Sequence, residues 1–354
     1  MAAKAIRITT NDIAKLAGVS QSTVSLVLNR KANSGISSET EKRVLEAAIK
    51  LGYLQPSESI SSAALKQDVA VVVPDMINPH FSNLLSHISR CAHESQMQMM
   101  ICNTHRSAAL ERDHIERLIA HGVGGILYVC TPTCMDLIEK ANYRLPVVIV
   151  GETEQELGVP IISADNYLSG RLLAEHLHSL GHRHIAYVTP PINSVSVLRR
   201  QRLDGIASLL EERGVDAFHV YEQTSYLVYT DDSYEIAMGE TQTRQILAEH
   251  PEVTAIIGQG DLIAFGIYSE LKASGRRIPE DVSVAAFDNI EYGKHLTPTL
   301  TTIDSQMVIR GKYGFEYLAK LMGNAVPEET APLFVTYRPS LIVRNSTAQA
   351  RNNK

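Results

Sequence analysis

The chain is predicted to fold as a small all-α helix-turn-helix head, joined by a hinge to an α/β body of two doubly wound parallel-sheet lobes. Three observations predict this. Two short amphipathic helices meet at Gly18-Val19-Ser20, β-branched runs alternate with amphipathic helices from Val69 onward, and that alternation occurs twice in series. At 354 residues the chain is too long for one core of ordinary size, and its 44% hydrophobic content includes no long apolar run. Two or three globular units follow, with no membrane span.

In the head, Thr9 can cap a helix that starts at Thr10, and Asp12 answers the cap from three residues on. Ile13, Leu16 and Ala17 form the expected core stripe of this helix, and Gly18 supplies the turned backbone that ends it. Ser20 caps a second helix, Gln21 to about Leu28. Its buried stripe is Val24, Val27 and Leu28, which leaves Gln21, Ser22, Ser25 and Leu26 at its start and on its outer face. A third helix is capped by Ser37 or Ser38, with Glu41 available for a capping box. Val44, Leu45, Ala48 and Ile49 are its stripe, and Gly52 marks its end. A generic three-helix bundle would show the same spacing, so charge has to separate the readings. Residues 1–56 hold eight Lys and Arg against four Asp and Glu, a net +4, which leaves the remainder at −10 within the chain's −6. A basic head on an acidic body is expected where only one end meets phosphates.

The run DIAKLAGVSQSTVSLVLN at Asp12–Asn29, continued by ISSETEKRV at Ile36–Val44 and LGY at Leu51–Tyr53, resembles the headpiece of the LacI family of bacterial transcription regulators. The resemblance implies that Gln21, Ser22 and Leu26 face base edges in the major groove, while Thr9, Ser20, Thr23, Ser25 and Asn29 hold phosphates. Leu26 stands where many members of the family carry arginine. Leucine cannot make the bidentate contact to guanine and offers only an apolar surface, such as a thymine methyl would meet. Two extra residues between Asn29 and Ile36 lengthen the turn into the third helix.

Gln55–Asp68, QPSESISSAALKQD, reads as a linker. In the resembled family this segment forms a hinge helix on the operator and inserts a leucine into the minor groove. Leu65 is the candidate wedge here, although the family's usual spacing falls on Ala63. The expected division is a DNA-binding head over 1–56, a hinge over 57–68, an effector-binding and dimerisation domain over 69–345, and a tail over 346–354. Lobe 1 is expected at about 69–163 and 292–323, and lobe 2 at about 164–291 and 324–345, with crossovers near 163, 291 and 324.

Parallel strands are expected at Val69–Val73, Met97–Cys102, Gly125–Val129 and Val147–Val150, and in the second lobe at Ile185–Val188, Ala217–Tyr221, Val253–Ile257 and Val282–Phe287. Final strands are expected near Phe334–Tyr337 and Leu341–Val343. The body resembles the family's effector domain, which is similar to type I periplasmic sugar-binding proteins. The matches are VVPDMINPHF, EHLHSLGHRHIAYV, RLDG, IPEDVSVAAFDN and LTPTLTTI. In open parallel sheets a ligand sits at the carboxyl ends of the strands. By family position, His80 and Phe81 wall the pocket, Glu152 reaches in from the first lobe, and Arg202, Asp261 and Asp288 come from the second. Carboxylates and an arginine fork around an aromatic suit a polyhydroxylated ligand. Each also has a plain structural reading: Asp288 as a cap, Arg202 as a surface helix residue, His80 as a satisfied polar side chain. The stretch YEQTSYLVYTDDSY at Tyr221–Tyr234 either lines the cleft or is a surface loop.

Other signals are set aside. His176, His178, His182 and His184 straddle a helix end without common metal-ligand spacing. In GQGDLIAFG at Gly258 the third glycine is misplaced for a dinucleotide loop, and no acidic residue is set up for a ribose. Cys91, Cys102, Cys130 and Cys134 are too sparse for a disulfide framework. No nucleophile, base and orienting group stand together, so no enzyme activity, cofactor or metal is expected. The N-terminus has no apolar signal core, which places the protein in the cytoplasm, at the nucleoid. The expected function is a ligand-responsive transcription regulator, a repressor, that binds a near-palindromic DNA operator as a homodimer or tetramer. A sugar or sugar derivative is the expected effector, with a nucleobase or phosphorylated sugar as the alternative. A solute-binding protein and an enzyme with a regulatory head are the rivals.

Overall fold

A computed structural model describes residues 9–28, 37–51, 68–153, 157–192, 196–223, 234–323 and 332–351. In the head, α1 (Thr10–Ala17), α2 (Gln21–Leu28) and α3 (Ser38–Lys50) enclose one apolar cluster of Ile13, Ala14, Ala17, Val24, Val27, Val44, Ala47 and Ala48. The Asp12 carboxylate accepts from both the Thr9 backbone N–H (2.8 Å) and the Thr9 hydroxyl (2.7 Å), which holds it below the usual carboxylate range. Gly18 ends α1 at φ +64, a left-handed conformation that a residue without Cβ adopts at no steric cost. Ser20 Oγ accepts from Thr23 N–H at 3.1 Å, and Ser37 Oγ from Thr40 N–H at 3.3 Å, so each caps the helix that follows it.

One head expectation fails. Leu16 is 47% exposed, and Ala14 takes the core position beside Ile13. In a helix of only two turns the buried arc is narrow, and a partner helix approaches the smaller side chain more closely. The side chains of Glu41, Leu45 and Ile49 lie outside the described residues, as do Asn29, residues 57–67 with Ala63 and Leu65, and residues 224–233.

The body holds two six-stranded sheets. The first has the order β11-β5-β4-β3-β1-β2, built from β1 (Val69–Val73), β2 (Met99–Asn103), β3 (Gly125–Tyr128), β4 (Val147–Val150), β5 (Ile161–Ala164) and β11 (Phe334–Tyr337). All its pairings are parallel. Along β1, Val69, Val71 and Val73 enter one apolar cluster and Ala70 and Val72 the other, so both faces are covered. This is why the strand reads as an unbroken apolar run instead of an alternation. Helices α4 (Pro79–Glu94) and α11 (Met307–Met322) cover the first face through Leu84, Ile88, Phe315 and Leu318. Helices α5 (Ala108–His121) and α6 (Met135–Asn142) cover the second through Ile115 and Ile138.

The second sheet has the order β12-β10-β9-β8-β6-β7, from β6 (His184–Thr189), β7 (Ala217–Glu222), β8 (Ala255–Gly258), β9 (Ser283–Phe287), β10 (Thr301–Asp304) and β12 (Ser340–Ile342). Only the β10–β12 pair is antiparallel. Helices α7 (Asn166–Ser179) and α8 (Val197–Glu212) pack on one face, and α9 (Tyr234–Glu249) and α10 (Asp261–Ala273) on the other. Each fully buried Leu or Ile in these layers contributes about 1.5–3 kcal/mol. α7 and α8 approach so closely that a Cβ on Gly170 would lie 2.2 Å from the Arg202 carbonyl oxygen. That contact fixes the start of α8 against α7.

Three differences from the expected domain plan are physical. The first crossing between lobes, near 165, lies within two residues of the expected 163, whereas the later two fall near 305 and 338, not near 291 and 324: β10 pairs with β9 in the second sheet, and β11 pairs with β5 in the first. Strands β5 and β10 escaped the sequence reading because Ser163, Thr301 and Thr302 interrupt their apolar pattern, although the two threonines are fully buried. Residues 346–351 are also no free tail. Ser346 is fully buried, its Oγ accepting from Thr301 N–H and donating to the Val284 carbonyl, and Ala350 N–H donates to Leu180 O at 2.8 Å.

His182 anchors the same strap. It is 1% exposed; its Nε2 donates to the Ala348 carbonyl at 3.1 Å, which leaves Nδ1 to accept from the Thr254 hydroxyl at 2.8 Å. Burial pushes its pKa down to about 4. A base depressed in the folded state binds its proton more readily when unfolded, so its contribution is lost as pH falls from about 6.5 toward 4. Relative to His182→Asn, the wild-type body is therefore expected to lose roughly 2 kcal/mol more between pH 7 and pH 5. Denaturant melts of both proteins at the two pH values measure this; an equal loss would mean that His182 is not held neutral by burial.

Candidate functional site

The two lobes face each other across a cleft of about 300 Å³, bordered by the carboxyl ends of β1, β2, β3, β4, β6, β8 and β9 and by α11. Of the residues singled out from sequence, His80, Phe81, Glu152, Arg202 and Asp288 line it. His80 and Phe81 lie in the first turn of α4, where the Asn78 side chain caps the helix by accepting from His80 N–H at 2.9 Å. The His80 and Phe81 rings stand edge to face at 5.0 Å. Burial, with Arg310 and Arg202 nearby, drives the His80 imidazole down to a pKa of about 3, so it stands neutral in the cleft.

Arg202 is 3% exposed. Its Nε donates to Asn166 Oδ1 (3.1 Å), its Nη1 to the Gln259 carbonyl (2.9 Å), and its guanidinium lies 4.4 Å from the centre of the Phe287 ring. Its Nη2 stands 3.7 Å from Asp288 Oδ1, and His80 Nδ1 stands 3.9 Å from the same oxygen. Both gaps exceed hydrogen-bond length. A hydroxyl placed among these three atoms could donate to the carboxylate and accept from the guanidinium. Asp288 is held at φ +112 and Asn289 at φ +52, a strained pair of the kind that clusters at ligand sites.

Asp261 departs from expectation. It does not line the cleft: it is 1% exposed, with Oδ1 accepting from Thr302 Oγ1 (2.7 Å) and Oδ2 from Ile290 N–H (2.8 Å). It buttresses the turn that carries Asp288. Burial and the adjacent Asp288 raise its pKa well above the carboxylate range, and burial raises that of Asp288 to about 6 against the opposing pull of Arg202.

Sequence reasoning missed Arg310 and Glu235. Arg310, 3% exposed on α11, meets Glu152 Oε1 at 3.3 Å, while its Nε has no partner; burial lowers its pKa. Glu235 begins α9 and accepts from Asn78 Nδ2 at 2.8 Å, a hydrogen bond from one lobe to the other. Neither follows a strand, so neither falls where the sequence predicts ligand contacts. Arg106, Arg199 and Gln259 also line the cleft from post-strand segments. A second hollow of about 450 Å³ lies beside β5 and β11, but among the described residues no cation lines it. The first cleft, with opposed donors and acceptors, is the better ligand site.

In the head, Gln21 and Ser22 are exposed at the start of α2, and Ser25 and Leu26 are half-buried. Gln21 Nε2 donates to Thr10 Oγ1 at 3.1 Å, and the Ser20 hydroxyl lies within 2.8 Å of those of Ser22 and Thr23. The start of α2 thus presents a polar cluster next to the unpaired N–H groups of a helix N-terminus, which suits phosphate. Among the described residues, no helix is long and apolar enough to cross a membrane.

Residues 9–56 match the family model for bacterial regulatory proteins of the lacI family, and residues 174–347 that for the periplasmic binding protein-like domain. A ribose operon repressor from Halalkalibacterium halodurans is 29% identical over 352 residues, covering 98% of this chain and 99% of the relative. Among solved structures, a LacI family transcriptional regulator from Enterococcus faecium with bound ribose matches with a TM-score of 0.70 at 26% identity, over 80% of this chain and all of that one. The lac repressor dimer bound to operator and the anti-inducer ONPF matches with a TM-score of 0.68 at 25% identity, over 97% of this chain and all of that one.

Asp288→Asn is expected to stabilise the ligand-free body by roughly 1–3 kcal/mol at pH 7, because it removes a desolvated charge that faces Asp261. An acid raised in the folded state costs stability above its folded pKa, so the gain should fade as pH falls from 6 toward 4. Chemical denaturation at pH 7 and pH 4.5 reads both effects. A variant less stable than wild type at pH 7 would mean that the Arg202 attraction outweighs desolvation.

Proposed function

This chain belongs to the LacI family of bacterial regulatory proteins, and on that premise we propose that it is a ligand-responsive repressor whose cleft binds a sugar or sugar derivative. The observation that carries the reading is the trio of His80 Nδ1, Arg202 Nη2 and Asp288 Oδ1, whose gaps of 3.9 and 3.7 Å leave one acceptor and its donors free for a hydroxyl. A neutral imidazole, an ionisable carboxylate and a fixed guanidinium match the donor-and-acceptor character of a polyol, and Phe81 offers an apolar ring beside them. The similarity to a ribose repressor and to a ribose-bound regulator supports the same chemistry.

In this reading α2 lies in the major groove. Gln21, Ser22 and Leu26 meet base edges, and Thr9, Ser20, Thr23, Ser25 and Asn29 hold phosphates. The protein acts in the cytoplasm as a homodimer, each head reading one half of a near-palindromic operator, with Leu65 as the minor-groove wedge. The operator-bound dimer among its structural neighbours supports that assembly. Ligand occupancy changes operator affinity by as much as its affinities for the two states of the cleft differ.

A thermal-shift screen of pentoses, hexoses, sugar phosphates and purines tests the ligand. A sugar at a hundredfold excess over its Kd is expected to add about 2.7 kcal/mol to the body's stability. Stabilisation by purines alone would overturn the sugar assignment. For the head, selection of bound sequences from a random oligonucleotide pool should recover a near-palindrome, and Leu26→Arg should shift the preferred base at one position in each half-site without abolishing binding. An unchanged preference would place Leu26 away from the bases.

A further inference from the structure

At the outer edge of the second sheet, away from the cleft, three side chains from separate segments converge. His219 lies on edge strand β7, His250 follows the end of α9, and Glu252 precedes β8. Their ligating atoms all lie within 4.8 Å of one another. The His219 and His250 rings stack with centroids 3.6 Å apart at 19°, and His250 Nδ1 is 3.2 Å from Glu252 Oε1. His184 adds a third imidazole. In the β6–β7 register Ala186 faces His219 and His184 faces Ala217, so the two histidines stand on one face of the sheet, two residues apart.

Two of these imidazoles carry buried nitrogens with no hydrogen-bond partner, His219 Nε2 and His184 Nδ1. Buried polar atoms are nearly always paired, so an orphaned nitrogen in each of two neighbouring rings calls for an explanation. The alternative partners are poor. The β-sheet already uses the backbone around them, and the charged or titratable groups that act on His219 are His250, Glu252 and His184.

We propose that His219, His250 and Glu252 form a binding site for a divalent transition-metal ion, zinc by preference, with His184 as the fourth ligand or as the residue that orients His219. Imidazole with carboxylate selects this class over calcium and magnesium, which take oxygen ligands. Bonds of 2.0–2.2 Å in a tetrahedral site set ligand atoms roughly 3.3 Å apart. The cluster must therefore close by up to roughly 1.5 Å from its widest spacing, with the stacked rings tilting so that their lone pairs converge. His250 and Glu252, whose side chains are 31% and 39% exposed, have room to make that movement, whereas His219 is fixed by its strand. The bound ion would tie the α9–β8 connection to the edge strand, next to the Pro251 carbonyl, which already accepts from Arg351 of the C-terminal strap at 3.1 Å.

The site is separate from the sugar reading and is tested separately. Full-length protein stripped with chelator is titrated calorimetrically with zinc and, in parallel, with cobalt(II), whose visible d–d bands report coordination geometry. One ion per chain, a tetrahedral-type cobalt spectrum, and a rise in the melting temperature of the body that EDTA reverses are expected. His219→Asn with His250→Asn should weaken binding at least tenfold, while His176→Asn, at a separate place on α7, should leave it unchanged. Absence of uptake by the wild type, or undiminished affinity in the double variant, overturns the site. A double variant that fails to fold leaves the wild-type stoichiometry and cobalt spectrum as the deciding measurements, since octahedral or adventitious binding would give neither.

Discussion

The guanidinium of Arg202 joins pieces of the second lobe that are far apart in sequence: Asn166 at the start of α7, the Gln259 carbonyl at the end of β8, the Phe287 ring at the end of β9, and the Asp288 carboxylate beyond it. Only arginine has enough donors in a rigid plane to serve so many directions at once. Its own backbone is set by the approach of α8 to Gly170, which admits no Cβ. The cleft floor therefore depends on packing between two helices as much as on charge. A displaced α8 would withdraw the guanidinium that faces Asp288, even though no atom of Gly170 enters the cleft.

Desolvation governs the rest of the cleft. His80, Asp288 and Arg310 all have their charged forms disfavoured by burial, and Asp261 behind them suffers the same penalty. Such a site is stocked with polar groups that water reaches poorly and that the protein pairs incompletely. A ligand rich in hydroxyls would satisfy them together. The Asn78–Glu235 hydrogen bond spans the lobes, so it belongs to the approximation of the two halves rather than to either one.

The head works by different physics. Among the described residues its core holds eight, and its helices are held by caps at Thr9–Asp12, Ser20 and Ser37. Each cap of this kind contributes about 1 kcal/mol, a large share of the stability that so small an apolar cluster can supply.

Much of this was legible in the chain itself. Gly18 between two apolar stripes, the serine caps and the excess of Lys and Arg dictated a helix-turn-helix with a polar start to its second helix. The strands β1, β3 and β4 announced themselves because a strand buried on both faces must be apolar throughout. Where polar residues are buried, that rule fails. Thr301 and Thr302 sit fully buried in β10, which is why the crossover was misplaced toward 291, and the buried Ser346 made a docked strap look like a tail. The same blindness hid Arg310 and sent Asp261 to the wrong role. Local pattern records which side chains avoid water, and that alone determined the layers and the lobes. Which polar groups face one another across a crevice depends on where distant strands end and how closely helices meet, so only the folded arrangement could decide that His80, Arg202 and Asp288 share one space while Asp261 stands behind them.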